Sequence, residues 1–418
     1  MLTFYNIGIR FFFFLVSFAS LFNNKAKLWV QGRKNWQRKY QDIPDGEKVW
    51  FHFASLGEFE QGKPLIERIR ELFPQKKIII TFFSPSGYEV RKNSPLGDYI
   101  LYLPLDTAQN AKDFLNIFKP ESAFFNKYEY WYHFFKETHQ AGIPLYLTSS
   151  IFRPNQIFFK PYGGFNRSIL NFVTHFFVQN KQSGDLLDSI NIKNHSLTGD
   201  TRFDSVSNLT KRLKDLPFID KFKDGKKLFV IGSSWPEDEQ NLAPWIISNQ
   251  RNWKAIIAPH EIGKEKIDSL EKLFPTDSVI RHSAINNQDI SQYTVLIIDN
   301  IGMLSTLYNV ADITYIGGGF NKSGIHNTLE AAAWGKAVVF GPNYQKFQEA
   351  KDLVSIGAGF SYLNKEGLHQ ILTKLSEDNE LRTVAAQKAR QYVQENIGAT
   401  NLIIKQVYES GFSKKDFI

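Results

Sequence analysis

Short apolar runs alternate with amphipathic stretches along most of this chain. From Val49 onward, five apolar runs bounded by turn residues predict buried strands, namely VWFHFA, KIIITFF, YILYL, SAFF and PLYLTS. The stretches beside them have the spacing of helices, over Glu58–Phe73, Ser86–Asn93, Thr107–Phe118 and Tyr128–Ala141. Strands that alternate with helices in this way are typical of a parallel sheet covered by helices.

The alternation lapses once and then starts again. Residues 205–227, SVSNLTKRLKDLPFIDKFKDGKK, are rich in charge and suggest a linker with some helix. Five further runs predict strands, LFVIG, KAIIAP, TVLIID, DITYIGGG and KAVVFGP, and helices are expected over Asp378–Asn396 and Asn401–Glu409. We therefore predict an α/β protein with two Rossmann-like doubly wound domains, over 48–205 and 228–396, a linker over 206–227 and a C-terminal helix over 397–418.

The first 40 residues differ from the rest. The apolar run FFFFLVSFASLF over 11–22 is shorter than the roughly 20 residues that span a bilayer comfortably. Residues 23–40 then hold no acidic residue, and Trp29 and Trp36 among them suit a membrane–water interface. The basic residues of this segment are Lys25, Lys27, Arg33, Lys34, Arg38 and Lys39. We predict a membrane anchor over residues 1–40, on the surface or as a short span, with the rest cytoplasmic. The alternative is a buried N-terminal helix with a solvated basic face.

Composition removes several classes of function. The chain has no cysteine, which excludes disulfides, thiolate nucleophiles and cysteine zinc sites. Its net charge of +8 suits either nucleic acid or an anionic lipid surface, and the phenylalanine run favours lipid over nucleic acid. Dinucleotide, phosphate-loop, nucleophile-elbow, H-E-x-x-H and D-x-D motifs are all absent. Chemistry without a metal or cofactor fits a donor that leaves as a single phosphate.

Two carboxylates follow predicted strands of the first half. Gly57 lets the chain turn from HFASLGE into a helix, so Glu58 lies near that helix's N-terminus, where it can act as a general base toward a substrate hydroxyl. Alternatively, Glu58 only stabilises the helix dipole. Glu129 follows the fourth strand and either orients Glu58 or an acceptor sugar, or is a solvated helix residue.

Further polar residues lie at later strand ends. Arg202 in TGDTRFD can neutralise phosphate charge on a leaving group, or form a salt bridge within the linker. Ser233 and Ser234 end a strand, where their hydroxyls either face phosphate or cap the next helix. His260 ends another strand and, taken alone, is more typical of a structural histidine.

A glycine run over 317–330, GGGFNKSGIHNTLE, follows a strand-like stretch and opens into a helix. Gly318 and Gly319 allow close approach of the backbone to a ligand, and a helix N-terminus presents N–H groups to an anion. With His326 and Asn327 at the helix start, the carboxylate of Glu330 about one turn inside it could accept hydrogen bonds from a ribose. The alternative is a turn that only connects strand and helix.

Together these segments resemble one family, the 3-deoxy-D-manno-octulosonic acid (Kdo) transferases of lipopolysaccharide synthesis. The resemblance covers nearly the whole chain. It is carried by the N-terminal apolar segment, KLWVQGRKNWQRKY, HFASLGE, Glu129-Tyr130-Trp131, TGDTRFD, GSSW and GGG…GIHNTLEAAAWGKAVVFGP. It implies a GT-B fold, in which two Rossmann-like domains face a cleft, with an N-terminal membrane-associated helix.

The resemblance also implies an activity and roles for residues. The reaction would be the inverting, metal-independent transfer of Kdo from CMP-Kdo to the 6′-hydroxyl of the lipid A precursor (lipid IVA), at the cytoplasmic face of the inner membrane. Glu58 matches the family's proton acceptor, and Glu129 and Arg202 match positions that stabilise the transition state. The positions expected to contact CMP-Kdo are Ser233, Ser234, His260, Ile301, Gly302, Met303, Gly318, Gly319, His326, Asn327, Thr328, Leu329 and Glu330.

Four positions depart from the family pattern. Where the family usually has a lysine, an arginine, a glutamate and a histidine, this chain has Arg202, Pro259, Met303 and Trp235, respectively. Lys322 or Lys336 is a candidate to replace the missing arginine. The departures keep two alternatives open, namely another GT-B glycosyltransferase that uses a UDP-sugar and a lipid acceptor, and an inactive relative that binds lipid or nucleotide.

Overall fold

A computed structural model describes residues 1–211, 215–286 and 288–409 of the chain. These residues form two compact units. Unit 1 contains Met1–Ser205 together with the segment that starts at Ile397, and unit 2 contains Val206–Asn396. The suggested linker over 206–227 therefore falls within unit 2. Residues 212–214 of that linker and 410–418 of the suggested C-terminal helix lie outside the described residues.

Unit 1 is built on a parallel sheet of seven strands. They are β1 (Lys48–Phe53), β2 (Lys77–Phe82), β3 (Tyr99–Tyr102), β4 (Ser122–Asn126), β5 (Leu145–Ser150), β6 (His175–Val178) and β7 (His195–Leu197). Along the sheet the order is β3-β2-β1-β4-β5-β6-β7. The order reverses between β1 and β4, and in sheets of this type ligands bind beyond the carboxyl ends of the strands at such a point.

Unit 2 repeats this plan. Its strands are β8 (Lys227–Ser234), β9 (Trp253–Pro259), β10 (Val279–Arg281), β11 (Val295–Ile297), β12 (Ile313–Ile316), β13 (Val338–Phe340) and β14 (Gly359–Ser361). They lie in the order β10-β11-β9-β8-β12-β13-β14, again all parallel, with the reversal between β8 and β12.

The predicted fold class, two doubly wound α/β halves, is confirmed. All ten predicted strands are present. The sequence pattern missed β6, β7, β10 and β14. Three of these four strands lie at sheet edges and have three residues each, which is too short for an apolar run to stand out.

Helices cover both sheets. Those that begin in unit 1 are α1 (Leu2–Ala19), α2 (Asn24–Gln31), α3 (Trp36–Lys39), α4 (Leu56–Leu72), α5 (Pro85–Arg91), α6 (Ala108–Phe118), α7 (Tyr132–Gln140), α8 (Gly164–Leu170), α9 (Lys181–Asp188) and α10 (Thr201–Thr210). Those of unit 2 are α11 (Phe218–Lys223), α12 (Pro236–Ser248), α13 (Lys264–Glu271), α14 (Leu304–Val310), α15 (Leu329–Ala333), α16 (Gln348–Ser355), α17 (Lys365–Glu377) and α18 (Asn379–Asn396).

The chain returns to unit 1 as α19 (Ala399–Ile404), followed by a π-helical turn over Lys405–Glu409. Ile403 and Ile404 are buried in the core on one face of the unit 1 sheet. The carboxylate of Asp204 accepts hydrogen bonds from the backbone N–H groups of Gly398 (2.6 Å) and Thr400 (2.7 Å). This returning segment is therefore part of the unit 1 core.

The N-terminal helix α1 has no buried residue, yet one side of it contacts the rest of unit 1. Tyr5 hydrogen-bonds the buried carboxylate of Asp106, and the ring of Phe12 meets that of Trp29 edge-on, with centroids 5.7 Å apart. Trp29 and Trp36 were expected to be available to a membrane–water interface, but neither ring is exposed. Each is 5% exposed, because both pack into unit 1.

Candidate active site

Glu58 and Glu129 lie beyond the carboxyl ends of β1 and β4, the two neighbouring strands at which the order of the unit 1 sheet reverses. Glu58 is in the first turn of α4. This helix begins at Leu56, two residues earlier than predicted, so Gly57 has a helical backbone inside it and is not the turn residue. A side chain at Gly57 would meet only Ser55 Oγ, 4.0 Å away, so the surface beside Glu58 is open.

The carboxylate of Glu58 is partly buried. Its Oε2 accepts a hydrogen bond of 2.7 Å from the backbone N–H of Ala54. Burial raises the pKa of Glu58 to about 7, and the negative charge of Glu129 adds to this, while the Ala54 N–H and Lys127 act in the opposite direction. A carboxylate with a pKa near neutrality is suited to accept a proton at physiological pH.

Glu129 lies in the loop between β4 and α7, and is not the helix residue that the sequence suggested. Its Oε2 is 3.2 Å from His52 Nε2 and accepts a hydrogen bond of 2.8 Å from Trp131 Nε1. Glu129 influences Glu58 through its charge. Trp131 and His52 together hold the side chain in one orientation.

Arg202, in the first turn of α10, forms an ion pair with Asp200. Its Nε and Nη2 both lie 2.8 Å from Asp200 Oδ2. Asp200 is buried and also accepts a hydrogen bond of 2.5 Å from Gln61 Nε2. Burial would raise the pKa of Asp200, but Arg202 and Lys127 outweigh it and hold that pKa below its ordinary value. Arg202 is thus anchored to the end of the sheet that carries Glu58.

In unit 2, β8 ends in an irregular backbone. The pairing with β9 shifts register between Gly232 and Ser234, and Ser233 has a left-handed φ of 53°. Ser234 is buried and donates a hydrogen bond of 2.8 Å to Glu239 Oε1. Neither serine caps α12, since Trp235 occupies the N-cap position, and the Ser234 hydroxyl is committed to Glu239.

The glycine run packs closely on this strand end. A Cβ on Gly317 would lie 2.2 Å from the Ser233 carbonyl oxygen, and one on Gly319 would lie 2.5 Å from Gly341 Cα. Gly318 has a φ of 90°, which favours glycine, and its N–H donates to Asp238 Oδ2 at 2.8 Å. These contacts hold the run in place beyond β12.

The residues after the glycine run lie before the helix. α15 begins at Leu329, with Thr328 as its N-cap, so His326 and Asn327 do not start the helix as predicted, and Glu330 is in its first turn. Asn327 Oδ1 accepts from the Leu329 N–H (3.1 Å), and its Nδ2 donates to Glu330 Oε1 (3.1 Å). Asn327 is exposed, and Thr328 and Leu329 are buried.

Three rings form a stacked surface in unit 2. Trp235 Nε1 donates a hydrogen bond of 3.1 Å to His326 Nε2, and the Trp235 and His260 ring centroids are 4.8 Å apart. The centroids of His260 and His326 are 4.4 Å apart. Burial, together with a smaller effect of His260, lowers the pKa of His326 to about 4. Trp235, which the family pattern has as histidine, therefore builds this surface together with His260.

Ile301, Gly302 and Met303 form a turn after β11. Ile301 is 86% exposed, and Gly302 has a φ of 98°. Met303 is the N-cap of α14. The side chain of Ile301 is thus available to a ligand.

The two lysines suggested as substitutes for an arginine have different positions. Lys336 precedes β13 and so lies at the amino-terminal ends of the strands, where the charge of Asp312 acts on it. Those ends are opposite the glycine run, so Lys336 cannot take this role. Lys322 lies in the loop after the glycine run and is exposed. Over the residues described here, the structure has no cluster of three or more His, Cys, Asp or Glu suited to a metal ion.

The family model of the 3-deoxy-D-manno-octulosonic acid transferases (kdotransferases) matches residues 30–205, which include Glu58, Glu129 and Arg202. A protein with this name from Chlamydophila psittaci is 27% identical over 371 residues, which cover 85% of this chain and 84% of the relative. One from Rickettsia bellii is 25% identical over 342 residues and covers 80% of each chain. Over most of its length the chain is therefore similar to Kdo transferases. It is a glycosyltransferase.

Solved structures agree with the fold of this chain. A UDP-GlcNAc 2-epimerase from Neisseria meningitidis superposes with a TM-score of 0.61 at 17% identity, over 87% of this chain and 100% of that one. MurG from Acinetobacter baumannii gives a TM-score of 0.53 at 15% identity, over 87% and 100%. At this level of identity the likeness shows the GT-B fold and nothing about substrate.

Sequence reasoning missed several residues that support this site. His52 contacts Glu129 beyond the carboxyl ends of the unit 1 strands, and Asp238 contacts Gly318 at the corresponding place in unit 2. Asp200 forms an ion pair with Arg202. Each had a signal nearby. His52 opens HFASLGE, Asp238 stands at the third position of a helix, as in a capping box, and Asp200 precedes Arg202 by two residues.

Proposed function

We propose that this protein transfers Kdo from CMP-Kdo to the 6′-hydroxyl of the lipid A precursor (lipid IVA), with inversion and without a metal ion. The observation that carries the proposal is Glu58, a carboxylate with a pKa of about 7 at the point where the unit 1 sheet reverses. The match to the Kdo transferase family model over residues 30–205 and the likeness to named Kdo transferases support the choice of transferred sugar.

In the proposed reaction Glu58 removes the proton of the acceptor hydroxyl while the hydroxyl oxygen bonds to the anomeric carbon of Kdo. The bond from that carbon to the phosphate oxygen breaks, and its electron pair leaves with CMP. A single displacement at this carbon inverts its configuration. The N–H of Ala54 binds Oε2 of Glu58 and so orients the base toward the acceptor.

Charge develops on both partners during this step. The sugar ring becomes positive as the leaving group departs, and the carboxylate of Glu129 stabilises that charge. Arg202, held by Asp200, stabilises the negative charge on the departing phosphate. Because the guanidinium stays charged at all physiological pH values, a change from lysine to arginine keeps the charge and alters its reach.

We place CMP-Kdo on unit 2. N–H groups in the glycine run and at the start of α15 bind phosphate, and Glu330 binds the ribose. Asn327 contacts both Glu330 and the Leu329 N–H, so it fixes the geometry of this segment. The stacked surface of Trp235, His260 and His326 offers a flat face for the cytosine base. Other contacts come from Ser233, Ile301, Gly302 and Met303.

We place the acceptor on unit 1, near α1. This helix is long and apolar enough to cross a membrane by length and composition. However, Tyr5 and Phe12 contact the rest of unit 1, while the opposite face exposes apolar side chains to solvent. A helix held this way suits insertion into the surface of the cytoplasmic leaflet. Its exposed apolar residues are Phe4, Ile7, Phe11, Phe14, Leu15 and Phe18.

The basic residues beside α1 extend this surface. Lys25, Lys27, Lys34, Arg38 and Lys39 are exposed, and they suit anionic lipid headgroups and the phosphates of the acceptor. Arg33 differs, because it is buried and donates to the carbonyl oxygens of Leu103, Trp29 and Phe83.

The test is a transfer assay with the purified full-length chain in detergent, CMP-Kdo and lipid IVA. Mass spectrometry of the lipid should show added Kdo, and CMP should be released in equal amount. No Kdo on the lipid, from protein shown to be folded by circular dichroism, would overturn the proposal. CMP, and not UDP, should raise the melting temperature. A product formed with a UDP-sugar but not with CMP-Kdo would favour the alternative of another GT-B glycosyltransferase.

A further inference from the structure

A buried chain of polar contacts crosses β1 and β2 and ends at Glu129. Trp50 Nε1 donates a hydrogen bond of 2.8 Å to Thr81 Oγ1, which lies 2.8 Å from His52 Nδ1. His52 Nε2 lies 3.2 Å from Glu129 Oε2. Trp50, Thr81 and His52 have no exposed surface. These three residues therefore reach Glu129 from within unit 1 and cannot touch a substrate.

Strand register explains the arrangement. Trp50 and His52 are two residues apart on β1, so their side chains leave the same face of the sheet. β1 and β2 pair in parallel with His52 opposite Thr81. The hydroxyl of Thr81 thus lies between the indole of Trp50 and the imidazole of His52.

The distances indicate which atom donates in each hydrogen bond of this chain. Thr81 Oγ1 already accepts the Trp50 N–H, and its own proton can go to His52 Nδ1 at 2.8 Å or to the Phe51 carbonyl oxygen at 3.2 Å. Donation to Nδ1 leaves the proton of a neutral imidazole on Nε2, which then donates to Glu129. The other neutral tautomer would set a nitrogen lone pair against a carboxylate oxygen.

The charge state of the ring supports this direction. Burial lowers the pKa of His52 below its ordinary value, although its bond to Glu129 acts in the opposite sense. The imidazole is therefore neutral at neutral pH. A neutral donor orients Glu129 and leaves its negative charge intact, whereas an imidazolium would cancel that charge.

We infer that His52 is a positioning residue for sugar transfer, which fixes Oε2 of Glu129 through Nε2–H and is itself held in one tautomer by Thr81. Trp131 supplies the second donor to the same oxygen. Among the residues described, none donates a hydrogen bond to Oε1, so in the proposed reaction this oxygen is left to interact with the developing positive charge. The inference rests on the proposed function only for the role of Glu129.

Thr81→Val and Thr81→Ser test the inference as a matched pair. Valine keeps the shape and removes the hydroxyl, whereas serine keeps it. Thr81→Val should lower kcat per folded molecule about 10- to 100-fold and change KM for either substrate less than about twofold. Thr81→Ser should restore kcat to within about threefold of the wild type. A purely structural role would lower the melting temperature and folded yield of Thr81→Val and leave its kcat unchanged.

Two further measurements keep the outcome decisive. In a Glu129→Ala background Thr81→Val should cause no additional loss of activity, because the carboxylate through which Thr81 acts is gone. An additive loss would overturn the inference.

NMR of the protein labelled with ¹⁵N-histidine, assigned by His52→Gln, should show Nε2 protonated in the wild type and Thr81→Ser, but not uniformly in Thr81→Val. An Nδ1–H tautomer in the wild type would overturn the inference. If the wild type transfers no Kdo, the proposed function fails, while the NMR result still decides whether His52 holds Glu129.

Discussion

Asp238 accepts a hydrogen bond of 2.8 Å from the backbone N–H of Gly318, so the first turn of α12 holds the glycine run. The same carboxylate accepts from the Trp235 N–H (3.0 Å) and the Tyr315 hydroxyl (2.7 Å). Burial raises the pKa of Asp238, while these three donors act against burial. One buried side chain thus connects three segments around the proposed donor site.

We expect Asp238→Ala to weaken CMP binding on the order of 10- to 100-fold, because each buried donor left without a partner costs about 1–3 kcal/mol and the glycine run loses its support. Titration calorimetry with CMP measures the change. Glu237→Ala is the matched control, since Glu237 is the exposed neighbour on the same helical turn. Equal affinity in the two variants would contradict the role of Asp238.

Glu58→Gln should abolish transfer of Kdo and leave CMP affinity within about twofold of the wild type. The amide cannot accept the proton of the acceptor hydroxyl, and general bases contribute typically about 100- to 10,000-fold. The rate is measured with lipid IVA, and CMP binding by calorimetry. Glu71→Gln, a change at an exposed position of the same helix α4, serves as the control. Turnover retained in Glu58→Gln would remove this residue from the role of base.

The pH dependence of kcat/KM should report Glu58 in the free enzyme. The base acts when it has lost its proton, and burial raises its pKa to about 7, so kcat/KM should fall as the pH drops through about 7. Lys127 lowers this pKa, hence Lys127→Gln should move the midpoint to higher pH. A profile that stays flat between about pH 5 and pH 8 would argue against Glu58 as the titrating base.

The exposed face of α1 should control membrane binding. Phe11 and Phe14 are 58% and 63% exposed, and burial of each ring in lipid stabilises binding by about 1.5–3 kcal/mol. The double change to serine should weaken binding to anionic vesicles on the order of 100-fold or more in a flotation assay. Leu363→Ser, at an exposed apolar residue of unit 2, is the control and should bind as the wild type does. Undiminished flotation of the double variant would show that another surface holds the membrane.

The longer strands and the carboxylate that follows β1 were predictable, because apolar runs and their ends are local properties of the sequence. Other features depend on distant partners. β6 and the three edge strands need neighbours that a short run does not reveal. Trp29 and Trp36 looked suited to an interface, but the core of unit 1 covers both. The pairing of His52 with Thr81 follows from strand register, which a single sequence pattern does not specify.

The same limit applies to the end of the chain. The helical character of Asn401–Glu409 was evident from its pattern, whereas its partner was not. Ile403 and Ile404 fill the core beside strands that lie more than 200 residues earlier in the chain. Nothing in the local sequence of α19 states which of the two sheets it will cover.

That return of the chain to unit 1 sets an order for biosynthesis. As the protein leaves the ribosome, α1 and all seven strands of the first sheet emerge early, but Ile403, Ile404 and the two residues bound by Asp204, Gly398 and Thr400, emerge only after unit 2. Unit 2 is formed by one continuous stretch of the chain, so it can complete its core while part of the core of unit 1 is still missing. If α1 binds lipid as proposed, it is therefore available to the membrane before the unit that carries it is finished.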